Sequence, residues 1–219
     1  MFPLVCSILS FCIAIAAFLY GIFRMKKGGP MCFLLFIFAV GCHSMRELWS
    51  IVNTLYYGMS QPNLSLLGTF GCLCFLCSAN YGHLDSIVDE GDTSGRSAWR
   101  QAMLAPAIAG ALLAFFVVRS FLAGQTAKAV LMGLSFLPAL PAAYFSAKHL
   151  LLPTDAMGFL NMTRRCNIAV LVYIAFSWAC MMQSETTMLG SAFSVMLALS
   201  AAGLIYACKK GIELWEMLI

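Results

Sequence analysis

Three ionisable side chains fall within five consecutive residues inside an apolar run of this sequence. They are the side chains most suited to chemistry. They are His43, Arg46 and Glu47, in the stretch GCHSMRELWSIVNT that covers residues 41–54. An imidazole and a carboxylate can exchange protons, and a guanidinium binds carboxylate or phosphate groups. Ionisable groups inside such a run therefore point to a functional site in a membrane protein, or to a polar contact that only holds the scaffold together.

Helical periodicity extends these three residues into a stripe. His43, Arg46, Glu47, Ser50 and Asn53 recur at intervals of three or four residues, which places their side chains on one face of an α-helix. A charged residue at the centre of a membrane helix costs about 2.5–3.5 kcal/mol. We therefore expect the stripe to face the bundle interior or a watery cavity, as a ligand-binding surface. The alternative is a packing clamp between Arg46 and Glu47.

Further polar and aromatic side chains are predicted at the same depth as the stripe. They are Trp49, Arg119, Trp178, Gln183 and Glu185. Together with the stripe they would line an outward-facing pocket of mixed charge with tryptophan walls, which suits a small polar or amphipathic ligand. The two tryptophans have an alternative interpretation as anchors at the membrane surface.

The composition identifies the elements that must carry this pocket. Of 219 residues, 62% are hydrophobic and 10% are charged, against roughly 45–50% and about 25% in soluble domains. A spanning helix needs about 20 apolar residues. The predicted fold is an all-α, polytopic membrane bundle of seven transmembrane helices. Their predicted ranges are 2–23, 31–55, 64–81, 103–122, 128–148, 164–184 and 189–208.

The basic residues predict the orientation of the bundle. They concentrate after the first, third and seventh spans and around the fifth connecting loop, and such segments stay in the cytoplasm. We expect the N-terminus outside, the C-terminus inside and a multi-pass protein of the plasma or inner membrane. Residues 1–208 would form one domain and residues 209–219 a short cytoplasmic helix. Because the net charge of +4 is explained in this way, no nucleic-acid partner is predicted.

Metal and enzyme signatures give little support for a catalytic role. The longest loop carries His83, Asp85, Asp89, Glu90 and Asp92, but their spacing matches no calcium loop, and we interpret it as a solvated turn that caps the next helix. We predict no metal site, no cofactor and no catalytic residue. Whether the protein is an enzyme stays open, although no nucleophile with a positioned base can be assembled.

Cysteines and prolines in the spans suggest structural roles. Most of the ten cysteines lie at membrane depth, where we interpret them as small hydrophobic residues. A disulfide between Cys6 and Cys180 is considered only because both are predicted near the outer surface. Pro138 and Pro141 fall in mid-span and predict a kink, while Gly68 and Gly71 would allow close helix contacts.

The predicted layout, with seven spans and the tail CKKGIELWEMLI leaving the last one, resembles the N-terminal sensory membrane modules of bacterial receptors. The resemblance implies a membrane sensor that passes a signal to a cytoplasmic effector. We therefore expect a ligand-binding sensor module, with the bilayer, a small extracellular ligand and a cytoplasmic signalling protein as partners, and homo-oligomers as a further expectation. The alternatives are a small transporter, with His43 or Glu47 as its proton-linked group, and a structural or partner-binding subunit.

Overall fold

The computed structural model of the protein describes residues 2–25, 30–56, 65–81, 96–151, 158–182 and 188–216. These residues are helical apart from short turns, and no strand occurs among them. The helices are α1 (Phe2–Met25), α2 (Met31–Tyr56), α3 (Ser65–Asn80), α4 (Arg96–Ala102), α5 (Leu104–Leu122), α6 (Thr126–Phe136), α7 (Ala139–Leu151), α8 (Gly158–Met182) and α9 (Met188–Glu216). The predicted all-α architecture is confirmed.

Six helical stretches of the described chain are long and apolar enough to cross a membrane. They are Phe2–Met25, Met31–Tyr56, Trp99–Leu122, Thr126–Leu151, Thr163–Met182 and Met188–Leu214. The third predicted span, 64–81, corresponds to α3, an apolar helix of 16 residues. Its length is about 24 Å, which is less than the hydrocarbon thickness of about 30 Å. By length and composition, the helices are those of a membrane protein.

The predicted span 128–148 is two helices, because proline removes hydrogen-bond donors at its centre. Helix α6 ends at Phe136 and α7 begins at Ala139. Pro141 has no N–H to offer the carbonyl of Leu137, which instead accepts a hydrogen bond at 3.2 Å from the N–H of Leu140. The break therefore lies within the span, at the position that the prolines predict.

At the C-terminal end, α9 continues without interruption beyond the predicted end of the last span. It includes residues 209–216, so the short C-terminal helix expected at 209–219 is an extension of the same helix over the described residues.

Helix α2 occupies the centre of the bundle. It packs against α1, α3 and α9, while α8 packs against α7 and α9, and α5 packs against α4, α6 and α7. The buried layer along α2 is apolar over its first turns, with Phe33, Phe36, Ile37 and Val40 almost wholly inaccessible. Towards its C-terminal half the buried residues become polar. The position of this transition determines where the candidate site lies.

Candidate functional site

A buried ion pair lies at the centre of the candidate site. Nη1 of Arg46 donates to Oε1 of Glu47 at 2.8 Å, and the two side chains are 10% and 2% exposed. Oγ of Ser194 on α9 donates to the second carboxylate oxygen, Oε2, at 3.3 Å. Both oxygens of Glu47 are thus hydrogen-bonded, and the guanidinium charge balances the carboxylate charge.

His43 lies one helical turn from Glu47 and is fully buried. Its Nδ1 is 3.1 Å from the hydroxyl of Tyr173 on α8, and the two rings meet edge to face at 5.5 Å. Its Nε2 is 3.8 Å from Oε1 of Glu47, which is beyond hydrogen-bonding distance, and no described residue is its hydrogen-bond partner. The imidazole and the carboxylate are therefore separated by a gap of 3.8 Å, without a direct hydrogen bond between them.

The contacts of Tyr173 bear on which nitrogen of the neutral His43 imidazole carries the proton. The thiol of Cys72 on α3 lies beside the hydroxyl of Tyr173. If Tyr173 accepts from this thiol and donates to Nδ1, the neutral imidazole carries its proton on Nε2. That proton then faces the carboxylate of Glu47. We call His43, Arg46, Glu47, Tyr173 and Ser194 the polar cluster.

A glycine on α3 fixes the position of Arg46. A Cβ placed on Gly68 would lie 2.7 Å from the Cβ of Arg46 and 2.9 Å from its backbone N and Cα. Real Cβ atoms do not come so close to a backbone, so the contact between α2 and α3 requires glycine at this position. Close helix contacts at small residues are typical of membrane bundles.

Two small cavities border the polar cluster. The larger has a volume of about 50 Å³ and the smaller about 20 Å³. The larger is lined by Arg46, Ser65, Leu66, Thr69, Phe136, Ser177, Cys180, Met181 and Leu197. The smaller is lined by Ser7, Arg46, Glu47, Ser50, Cys180, Gly190, Ser191 and Ser194. Because a water molecule needs about 10–15 Å³ of such space, both cavities have room for water.

The stripe predicted on α2 occurs as a single surface that faces the bundle interior. His43, Glu47 and Asn53 are buried, Arg46 is close to buried, and Ser50 lines the smaller cavity. The structure therefore brings the predicted stripe residues to one side of α2, with their charges away from lipid.

The other predicted pocket residues are more scattered. Trp178 is buried and packs against Phe136 at 5.0 Å between ring centroids, and its indole N–H has no partner in the part of the chain that the structure describes. Trp49 is half-buried and belongs to neither cavity described above. Arg119 is exposed at the end of α5, a helix whose main packing partners are α4, α6 and α7. Over the described residues, neither of these tryptophans nor Arg119 lines the two cavities.

Some predictions from the sequence lie outside the described residues. These are Gln183 and Glu185, together with the acidic loop residues His83, Asp85, Asp89, Glu90 and Asp92. Within the described ranges, no group of three or more His, Cys, Asp or Glu side chains is arranged to hold a metal ion. All ten cysteines fall in those ranges, and none forms a disulfide, including Cys6 and Cys180.

Several partners that other helices contribute were not predicted from the sequence. Tyr173 on α8 is buried, as is Ser177 four residues later, and this spacing was the only local signal for Tyr173. Ser191 and Ser194 on α9, three residues apart, line the smaller cavity. Polar residues at helical spacing in an apolar span are the pattern that could have found Tyr173, Ser191 and Ser194.

Comparison with known proteins adds no information about the site. No protein-family model matches the chain, and neither a curated protein nor a solved structure is significantly similar to it.

Proposed function

We propose that the chain is a membrane sensor module whose input is a proton taken up by the pair of Glu47 and His43. The observation that carries this proposal is the 3.8 Å gap between Nε2 of His43 and Oε1 of Glu47, inside a buried cluster bordered by water-sized cavities. Intramembrane ionisable groups mark functional sites by default. Here an acid and a base face each other across a gap that a small movement would close.

The sizes of the cavities favour a proton over a larger ligand. Pockets for drug-sized molecules measure about 300–1,000 Å³, whereas the two cavities have about 50 and 20 Å³. They can hold the water molecules that deliver a proton, and the polar groups that line them can bind that water. The proposed input is therefore smaller than the polar or amphipathic molecule that the sequence suggests.

A proton would change the charge balance of the site. The charges of Arg46 and Glu47 cancel each other, and the titratable groups around them in the described residues include His43, Tyr173, Cys72 and Cys180. Helix α9 contributes the neutral Ser194 to this contact. Uptake of one proton leaves a net positive charge inside the bundle, which is costly in a membrane interior unless water enters or the guanidinium moves. The cluster thereby couples proton uptake to a structural change.

The break between α6 and α7 is well situated to respond. Phe136, the last residue of α6, lines the larger cavity together with Arg46 and packs against Trp178. The interrupted backbone follows directly at Leu137 and Pro138. Entry of water beside Arg46 would therefore act on α6 at the point where it can tilt relative to α7.

We place this sensor in the plasma or inner membrane with seven spans, including α3, and with its N-terminus outside. The basic residues of the connecting loops support this orientation through the positive-inside rule. The resemblance to bacterial sensory modules supports a signal that leaves through the cytoplasmic end to a separate effector protein. In this orientation the polar cluster lies in the outer half of the bundle and monitors the external proton concentration.

A small proton-coupled transporter is the second candidate, and the break between α6 and α7 favours it. Interrupted helices beside a buried polar site recur in secondary transporters. The two functions differ in one measurable respect. A transporter moves a solute when a proton gradient is imposed on proteoliposomes, whereas a sensor changes conformation without any flux.

The fluorescence of Trp178 offers a direct test of the sensor. In a variant in which Trp49, Trp99 and Trp215 are replaced by phenylalanine, Trp178 reports on the larger cavity. We expect its emission in proteoliposomes to shift with pH along a single titration curve. The same curve should be lost in Glu47→Gln and kept in Glu213→Gln, which removes a carboxylate at the opposite end of the bundle. Emission that does not change with pH would rule out the proposal.

A further inference from the structure

At the opposite end of the bundle from the polar cluster, positive charges from different helices converge on one carboxylate. Glu213 of α9 receives Lys210 at 2.9 Å, Lys209 at 3.8 Å and Arg24 of α1 at 3.5 Å. The four side chains are between 31% and 35% exposed. One acidic group thus holds three basic groups together at the surface.

Over the described residues, the ion pairs of this group leave its positive charge in excess. Three cations face one anion, and Arg165 of α8, which is exposed, is close enough to Lys210 to repel it electrostatically. Like charges held this close attract a further anion. We call Arg24, Arg165, Lys209 and Lys210 the basic patch.

This patch is not evident in the sequence, because its members come from three helices. The longest basic run is RMKK, at residues 24–27, which is too short for a polybasic lipid-binding segment. The packing of α9 against both α1 and α8 brings the separate cations together. The surface is therefore a property of the fold.

Apolar side chains continue from the patch along the flank of the bundle. Phe23 is 66% exposed and precedes Arg24, while Tyr206 is 59% exposed and lies one turn before Lys210. Both belong to helices with the length and composition of membrane spans. A cationic surface above an exposed apolar flank matches the two halves of an anionic phospholipid.

We propose that the basic patch binds the phosphate-bearing headgroup of an anionic phospholipid, with its acyl chains along the exposed flank of α1 and α9. Lysine and arginine donate charge-assisted hydrogen bonds to phosphate oxygens. The headgroup supplies the additional negative charge that Glu213 alone does not provide. This proposal does not depend on the sensor function, since none of its residues belongs to the polar cluster.

Native mass spectrometry of the purified full chain tests the proposal. The protein is mixed with phosphatidylglycerol or with phosphatidylcholine of the same acyl chains, and bound lipids are counted. We expect phosphatidylglycerol to bind more tightly by at least about 25-fold, since each cation of the patch contributes about five-fold. In the double variant Lys209→Gln, Lys210→Gln its affinity should fall about five-fold for each cation removed. The matched control is Arg119→Gln, Lys128→Gln, two exposed cations on α5 and α6, and it should bind as the unmodified protein does.

Several outcomes would overturn the proposal. Equal binding of the two lipids, or an equal loss in the control variant, would show that the patch does not select anionic lipid. Displacement of phosphatidylglycerol by inorganic phosphate, beyond the effect of chloride at the same ionic strength, would identify a site for free anions. If the glutamine variant does not fold, Lys209→Arg, Lys210→Arg should retain the lipid preference, and loss of that preference would contradict the charge-based account.

Discussion

The hydroxyl of Tyr173 lies 3.1 Å from Nδ1 of His43 and joins α8 to α2 at the centre of the polar cluster. This contact fixes which nitrogen of the imidazole faces Glu47. Because both side chains are fully buried, no bulk water can replace the hydroxyl if it is removed.

Tyr173→Phe should destabilise the protein and disturb its response to pH. The substitution leaves Nδ1 of His43 without its partner, and a buried unsatisfied polar group costs about 1–3 kcal/mol. The thermal unfolding temperature in detergent measures the loss, and the emission of Trp178 measures the response. Tyr206→Phe removes a hydroxyl from a side chain that is 59% exposed and should change neither. Equal effects of the two substitutions would contradict the assigned role of Tyr173.

Arg46→Gln and Glu47→Gln should each lower the free energy of unfolding strongly. The double variant should lose much less than the sum of the two single losses. Either substitution leaves one charge buried without its counterion, at a cost of about 3–5 kcal/mol, whereas the double variant leaves no charge. A double-mutant cycle of unfolding free energies in mixed micelles measures this coupling. Additive losses would show that the 2.8 Å contact contributes no pairwise stabilisation.

Gly68→Ala should displace α3 from α2 and lower stability. Its Cβ would meet the backbone of Arg46 at 2.9 Å, and backbone atoms cannot move aside as the end of a side chain can. Gly203→Ala is the matched control, because nothing lies within 4 Å of a Cβ at that position and alanine is the better helix former. The proposed contact would be refuted if the unfolding temperature fell equally in both variants, or if it fell in Gly203→Ala alone.

The stripe on α2 was predictable from the sequence because it depends only on helical periodicity within one element. Its partners were not, since Tyr173 and Ser194 are separated by 130 and 147 residues from the side chains that they contact. Arg119 illustrates the same limit. Its predicted depth matched that of the stripe, but depth does not determine which face of the bundle a residue occupies, and Arg119 is exposed on α5.

The break in the fifth predicted span was also accessible from sequence, because Pro138 and Pro141 act on the backbone locally. The water-sized cavities were not. Their volume depends on how Phe136, Ser177 and Leu197 from three helices fit around Arg46, and no periodicity determines that fit. For this reason the sequence suggested a pocket for a larger ligand, whereas the geometry favours a proton.

Access of water from outside should decrease with depth along the stripe. Single cysteines at positions 43, 46, 47, 50 and 53, in a variant without other cysteines, should react with an impermeant thiol reagent in intact cells. We expect labelling to fall from position 53 towards position 43, since the site is proposed to open outward. Leu76→Cys, at a fully buried apolar position, should stay unlabelled. Uniform protection of the stripe would favour the packing clamp.

Detection of the protonated carboxyl group of Glu47 is the most direct test of the proposed function. Infrared difference spectra of the protein in membranes, recorded between acidic and neutral pH, resolve the C=O stretch of a protonated carboxylic acid. We predict that one such band titrates in the unmodified protein and in Glu213→Gln, that this band is missing in Glu47→Gln while the bands of the other carboxyl groups remain, and that its midpoint moves in Tyr173→Phe. A band that is the same in Glu47→Gln as in the unmodified protein would contradict the proposal that this carboxylate receives the proton.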